Sequence, residues 1–236
     1  MRNDSALPMD AQLPLAAWYA SPGGTRAARL LRNMIQPTLQ HNGRSRLLTL
    51  GAPEGLLRGI DTGGIERLAA IGASAWPSRG RSAGLCADPC QLPFHEAVFD
   101  QALVIHGLET AERPAAVLRE LWRVLAPAGE LLLVVPNRAG LWATVETNPF
   151  GQGRPYGRRA LIAALADAMF EVTAARTALA APPLGMLAWT EPMLARAVPQ
   201  LGGVHFVRAA KRDGLAPISG SRIAVPARAA PAQATS

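Results

Sequence analysis

Three short segments bring together residue types able to handle a polar ligand. The first is Gly51-Ala-Pro-Glu-Gly55, a glycine-flanked turn directly after an apolar run. Glycine there lets backbone approach a ligand and permits positive φ. Most strand–helix turns carry a glycine, so the pattern equally suits an ordinary turn. The second is Asp88 in Ala-Asp-Pro-Cys-Gln-Leu-Pro-Phe. Its carboxylate can accept from an exocyclic amine, while Asp before Pro89 is also a common turn former. The third is Ile105-His-Gly-Leu-Glu109, where His106 and Glu109 point into one crevice if the preceding run is a strand; a solvated loop histidine is the plain alternative. Cys86 and Cys90 have no His or Cys partners at metal-ligand spacing, so they read as two reduced thiols, with no disulfide scaffold and no metal site.

Alternating apolar runs and helical patterns set the frame for these segments. Arg46-Leu-Leu-Thr-Leu-Gly51 reads as a buried strand, with a possible short helix at Leu56-Leu57. Residues 68–71 are a weak second strand, 72–84 a surface loop, 84–88 a third strand and 99–105 a clearer fourth. Between Pro114 and Pro127, the residues Ala115, Val117, Leu118, Leu121, Trp122 and Leu125 recur at helical spacing. Glu130 to Pro136 is nearly all apolar, as expected of a parallel strand covered on both faces. A helix follows over 158–169, then a strand over 170–176, a possible helix over 184–198 and a last strand over 204–210. Upstream, Thr25 can cap a helix toward Gln40 that Pro37 kinks or shortens. The resulting division is an N-terminal arm (1–23), carrying Trp18-Tyr19, a single α/β domain (24–212), and a disordered tail (213–236) rich in Ala, Pro and Arg. An open α/β sheet binds ligands beyond the carboxyl ends of its strands, where the strand order reverses.

Composition limits the function classes. With 236 residues, 49% apolar and 17% charged, the chain can bury a core without staples. Its net charge of +7 is almost wholly arginine, since Lys211 is the only lysine. A basic surface favours anionic partners in general and names none. No run of about 18 apolar residues is free of charge or proline, so no membrane span is expected. Residues 1–10 do not read as a signal peptide, and the expected location is cytoplasmic. A nicotinamide dehydrogenase would need Gly-x-Gly-x-x-Gly and an acid about 20 residues later, and neither is present.

Taken together, residues 85–136 resemble the second half of the class I S-adenosylmethionine-dependent methyltransferase domain (methyltransferase type 11-like), with likeness extending over roughly 45–211. The resemblance rests on Asp88 followed by Leu92-Pro93-Phe94, on Phe99-Asp100, and on Glu120-Leu-Trp-Arg-Val-Leu-Ala-Pro-Ala-Gly129. Pro136 to Trp142 and Pro149 to Tyr156 are similar to a bacterial branch. The resemblance implies a Rossmann-like, mostly parallel seven-stranded sheet with helices on both faces and residues 204–210 as an antiparallel last strand. It implies S-adenosylmethionine as cofactor, held by Gly51 and Gly55, by Asp88 with Pro89, and by a loop at His106 closing over the cofactor's methionine end. The sequence departs from the family at Pro53, where a third glycine is usual. Thr49 and Leu50 replace the acid before the turn, and no ribose-binding carboxylate ends the second strand. Glu54 or Tyr19 could compensate.

Two readings follow. One is a methyltransferase acting on an unidentified acceptor, small or macromolecular, with nucleic acid left open although no lysine-rich patch or stacking pair marks it. The other is a catalytically inactive methyltransferase fold serving as a binding or scaffold protein. No residue is assigned as catalytic. The loop 137–157 is expected to form a lid or acceptor wall, with Trp142, Phe150 and Tyr156 to pack and Arg138, Arg154, Arg158 and Arg159 to meet an anionic acceptor; a structural loop closing the sheet edge is the plain alternative.

Overall fold

The computed structural model describes residues 9–72, 82–140, 142, 149–151, 153–179, 193 and 202–212. Two helices, α1 (Met9–Ala20) and α2 (Pro22–Ile35), precede the sheet. Residues 9–20 and 22–23 of the N-terminal arm are therefore helical. α2 starts a turn earlier than Thr25 predicts, because the Ser21 hydroxyl accepts from the Gly24 N–H at 3.1 Å and Pro22 supplies a preset φ. Pro37 ends it, leaving one 3₁₀ turn over Gln36–Thr38.

The sheet elements follow as β1 (Ser45–Leu50), α3 (Glu54–Leu57), β2 (Ile65–Ile71), β3 (Ser82–Leu85), β4 (Phe99–Ile105), α4 (Pro114–Val124), β5 (Leu125–Pro136), α5 (Arg158–Asp167), β6 (Phe170–Ala178) and β7 (Val204–Lys211). The seven strands lie in the order β3-β2-β1-β4-β5-β7-β6. β7 runs antiparallel to both β5 and β6, and the other pairings are parallel. This is the Rossmann-like α/β sheet expected from the sequence. β5 begins earlier than Glu130 because Leu125 already pairs with Phe99 before a register shift. The expected loop over 72–84, the helix over 184–198 and the tail beyond 212 lie largely or wholly outside the described residues.

Alternation along the strands feeds two cores. On one face Leu47, Leu103, Ile105, Leu132 and Val134 meet Ala27, Ala28, Leu31 and Ile35 of α2 and Tyr19 of α1. On the other, Leu48, Leu50, Val104, Leu131, Leu133 and Val135 meet Val117, Leu118, Leu121 and Val124 of α4 and Leu161 and Leu165 of α5. Neighbouring β1 and β4 diverge in their connections, β1 returning toward β2 and β4 toward β5, so the topological switch point lies between them.

Candidate functional site

The carboxyl ends of β1 and β4 are locked together at the switch point. Gly51 adopts φ +71°, and a Cβ there would lie 2.7 Å from the Ile105 carbonyl oxygen and 2.8 Å from Gly107 Cα. Glycine is thus required for backbone to approach backbone. Gly55, at the other end of the turn, faces Tyr19, whose Cβ would lie 3.6 Å from an added methyl group. The close neighbour of Gly51 is the protein's own backbone, and at Gly55 an added methyl group would meet Tyr19 only at ordinary van der Waals distance. Pro53 caps α3 through its carbonyl, which accepts from the N–H groups of Leu56 and Leu57.

Beyond β4 the chain turns through His106 at φ +57°, an uncommon conformation in which histidine is nevertheless enriched. The Thr110 hydroxyl fixes this turn by donating to the His106 carbonyl at 2.8 Å. The His106 ring is buried between two partners. Its Nδ1 lies 2.8 Å from Glu109 Oε1, and its Nε2 lies 2.9 Å from the Tyr19 hydroxyl. Tyr19, His106 and Glu109 are 2%, 5% and 2% exposed. An ionised carboxylate only accepts, so a neutral imidazole carries its proton on Nδ1 and accepts the tyrosine O–H at Nε2. Burial, and secondarily the charge of Glu109, pushes the Tyr19 hydroxyl well above its ordinary pKa, keeping it a donor. His106 and Glu109 are therefore buried and bonded to each other, and the plain alternative of a solvated loop histidine does not hold.

Aromatic rings wall this chain of hydrogen bonds. Phe150 lies 5.1 Å from the His106 ring, and Trp18 packs edge-on against Tyr19, Phe150 and Trp142. Trp142 and Phe150 are buried, so these members of the 137–157 segment are packed. The segment reaches back to the β4 loop through the Arg154 N–H, which donates to the Glu109 carbonyl at 3.0 Å, while Gly153 at φ +74° permits the approach. Tyr156 is tied to β5, donating its N–H to the Pro136 carbonyl. Arg138, Arg154, Arg158 and Arg159 are exposed along this same edge.

Asp88 stands apart, after β3. Its Oδ1 accepts the Cys90 N–H at 2.8 Å, and its carbonyl accepts from Gln91, so it does form the turn that its place before Pro89 predicts. It remains part-exposed, whereas Pro89 is buried. The segment behind it is held from α4: Glu120 accepts the Leu92 N–H, and Arg123 donates to the carbonyls of Leu92 and Phe94. Burial, and then the Asp88 charge, raises the Cys90 thiol pKa, which keeps that sulfur protonated and weakly nucleophilic. Glu54 is engaged by Arg58 in an exposed ion pair on α3. Among the described residues no group of three His, Cys, Asp or Glu side chains could hold a metal, and no helix is long and apolar enough to cross a membrane.

The contact that local sequence could not reveal is Tyr19 to His106, 87 positions apart. The adjacent aromatic pair Trp18-Tyr19 in an arm of mixed composition was its one signal. Residues 68–133 match the methyltransferase-domain family. No curated protein matches the chain in sequence. Among solved structures, the fold is similar to a Haloferax volcanii methyltransferase in complex with the Trm112 methyltransferase activator (19% identity, 84% of this chain and 98% of that one, TM-score 0.64). It is similar to an S-adenosylmethionine dependent methyltransferase from Mesorhizobium loti (16% identity, 76% and 96%, TM-score 0.57). It also resembles the cyclase SpnF (20% identity, 84% and 86%, TM-score 0.58), so the fold by itself does not fix a reaction.

Proposed function

We propose that this protein is an S-adenosylmethionine-dependent methyltransferase, a reading supported by the match of residues 68–133 to the methyltransferase-domain family and by the fold. The observation that carries the reading is the position of its polar groups. The 51–55 turn, Asp88 with Pro89, and the His106 loop follow β1, β3 and β4, all on the carboxyl edge of the sheet and straddling the switch point. Gly51, Gly55, Asp88, Pro89 and His106 are the residues assigned to the cofactor. The fit rests on one orphaned atom: Glu109 Oε2 is buried and has no hydrogen-bond partner among the described residues, as an acceptor reserved for a ligand would be. When bound, the cofactor supplies an electrophilic methyl group on a sulfonium. The chain's own part is to align an acceptor against it and exclude water, tasks suited to the wall formed by Trp18, Trp142 and Phe150. The exposed arginines on the rim suit an acceptor with an anionic group.

A binding or scaffold role is the second reading. It is favoured by Pro53, which removes an N–H from the first turn, and by the lack of a carboxylate at the end of β2, where Ile71 is followed by Gly72. Glu54 offers no free substitute, since Arg58 holds it. Calorimetric titration with S-adenosylmethionine and its demethylated product separates the readings. Saturable binding at micromolar concentration is the expected result for an enzyme. No heat and no thermal stabilisation at millimolar concentration would leave the scaffold role.

A further inference from the structure

We propose that β6 is the interface of a symmetric homodimer, in which two copies of the strand pair antiparallel and join two sheets into one. β6 ends the strand order, and its outer side meets no other strand among the described residues. It is nine residues long, whereas β3 at the opposite edge has four. An open edge strand is a template for pairing, and chains that stay apart blunt it with lysine, proline, bulges or shortness. Phe170–Ala178 contains no lysine and no proline. It does contain a bulge, and the bulge sets the pattern of the outer row. Val172 pairs with Ala209 and Ala174 with Arg208, so Thr173 is an extra residue. Its hydroxyl turns back onto its own sheet and donates to the Arg208 carbonyl at 3.1 Å. Side chains alternate between faces, so residues five apart ordinarily lie on opposite faces. The extra residue brings Glu171 and Arg176 onto one face, because their partners Ala210 and Phe206 are four apart on β7. Both are exposed, and no ion pair among the described residues uses either.

A second copy of the chain is the occupant that fits these charges. Residues directly opposed in an antiparallel pair lie on the same face of the sheet. With the twofold axis at Ala174, Glu171 of one copy stands beside Arg176 of the other, and the axis makes this contact twice. In the same register Val172 meets Ala175, both of which already pack toward the core under α4 and α5, and Phe170 meets Thr177. Every opposed pair keeps to one face, and no like charges are opposed. The edge lies three places beyond β4 and the switch point, so the dimer stands whether or not the chain transfers methyl groups.

The test is sedimentation equilibrium on the full chain. The wild type is expected to associate to a dimer as concentration rises. Glu171→Arg alone or Arg176→Glu alone turns two attractive pairs into two repulsive ones, and each is expected to weaken self-association ~10- to 100-fold. Mixed in equal amounts, the two single variants pair opposite charges again and are expected to form a heterodimer close to wild type in affinity. The chain carrying both substitutions is expected to form a homodimer for the same reason. Ala174→Cys supplies a readout free of charge effects. Opposed Cα atoms lie ~4.5–5.5 Å apart, within disulfide reach, so mild oxidation is expected to link two copies covalently, beyond any linkage the wild type forms through Cys86 and Cys90. A wild type that is monomeric at every concentration overturns the proposal. Single charge variants that dimerise as well as the wild type overturn it too, by placing the contact on another surface. A dimeric Ala174→Cys that gives no cross-link refutes the register, even if the charge variants do not fold.

Discussion

Removing one oxygen from Tyr19 tests whether the N-terminal helix is seated in the site. Tyr19→Phe preserves the ring, so the edge-on packing against Trp18 at 4.9 Å is kept, with the ~0.5–1.5 kcal/mol such pairs contribute. What is lost is the 2.9 Å bond to His106 Nε2, which becomes a buried acceptor without a donor. Leaving such a group unsatisfied costs about 1–3 kcal/mol. For a chain of this size that corresponds to a melting point lower by roughly 2–12 °C. Urea denaturation with linear extrapolation reads the free energy, and a melt by circular dichroism reads the shift. A double-mutant cycle isolates the bond. His106→Asn is the suitable partner change, because asparagine also tolerates the φ of +57° at this position. A coupling of about 1 kcal/mol or more between Tyr19→Phe and His106→Asn is expected. A coupling within 0.3 kcal/mol of zero, the ordinary error of additivity, would refute the reasoning and detach α1 from the His106 loop.

Three further outcomes follow from the same geometry. Gly51→Ala forces a side chain into positive φ and within 2.7 Å of the Ile105 carbonyl, so it is expected to destabilise by about 2–4 kcal/mol in urea unfolding. Asp88→Ala removes an N–H acceptor from a part-exposed turn, at a cost of about 1 kcal/mol, yet is expected to weaken nucleoside binding at least tenfold; equal affinity in calorimetry would clear Asp88 of a ligand role. Burial lowers the pKa of His205 on β7, outweighing a backbone hydrogen bond at Tyr156, with the nearby Arg158 charge acting in the same direction as burial. The unfolded chain therefore binds more protons below the ordinary histidine value of ~6.5, and stability is lost as pH falls through it. Urea midpoints measured at pH 7.5 and 5.5 are expected to drop less in His205→Gln than in the wild type.

The strands were legible because buried parallel strands have to be apolar on both faces. Leu47 to Leu50, Phe99 to Ile105 and Leu131 to Val135 leave few alternatives, and the order of strands and helices then gives the sheet. The pairing of His106 with Glu109 was also within reach, since both follow β4 closely. The start of α2 was not, because Ser21 and Pro22 compete with Thr25 as helix signals and only the geometry chooses between them. Tyr19 illustrates a deeper limit. Its partner is set by how α1 packs across the first turn, and no local spacing carries that information. The orphaned Glu109 oxygen is equally silent in sequence, because satisfaction is a property of all the neighbours at once.

The N-terminal helices owe their place to a shortened crossover. Only residues 51–64 join β1 to β2, and within them α3 is a single turn of four residues, too short to cover a sheet face. Parallel strands buried on both sides need a helical layer there, and α2 supplies it. Leu31, Ile35 and Leu39 are each under 7% exposed, and full burial of such side chains contributes ~1.5–3 kcal/mol apiece. Together that is about 5–9 kcal/mol, comparable with the whole ~5–15 kcal/mol stability of an ordinary domain. A domain beginning at residue 24 would cut through the first turn of α2 and lose its cap. A chain beginning at Ser21 keeps cap and helix, and is expected to melt cooperatively at a lower temperature with His106 lacking its tyrosine. A chain beginning at Gln40 is expected to keep far-ultraviolet circular dichroism, lose the near-ultraviolet signal and melt without a sharp transition, the behaviour of a sheet with one face uncovered. A cooperative melt with native near-ultraviolet signal in that shorter chain would mean that α3 and its flanking loop suffice, and that the N-terminal helices are an addition to the fold and no part of its core.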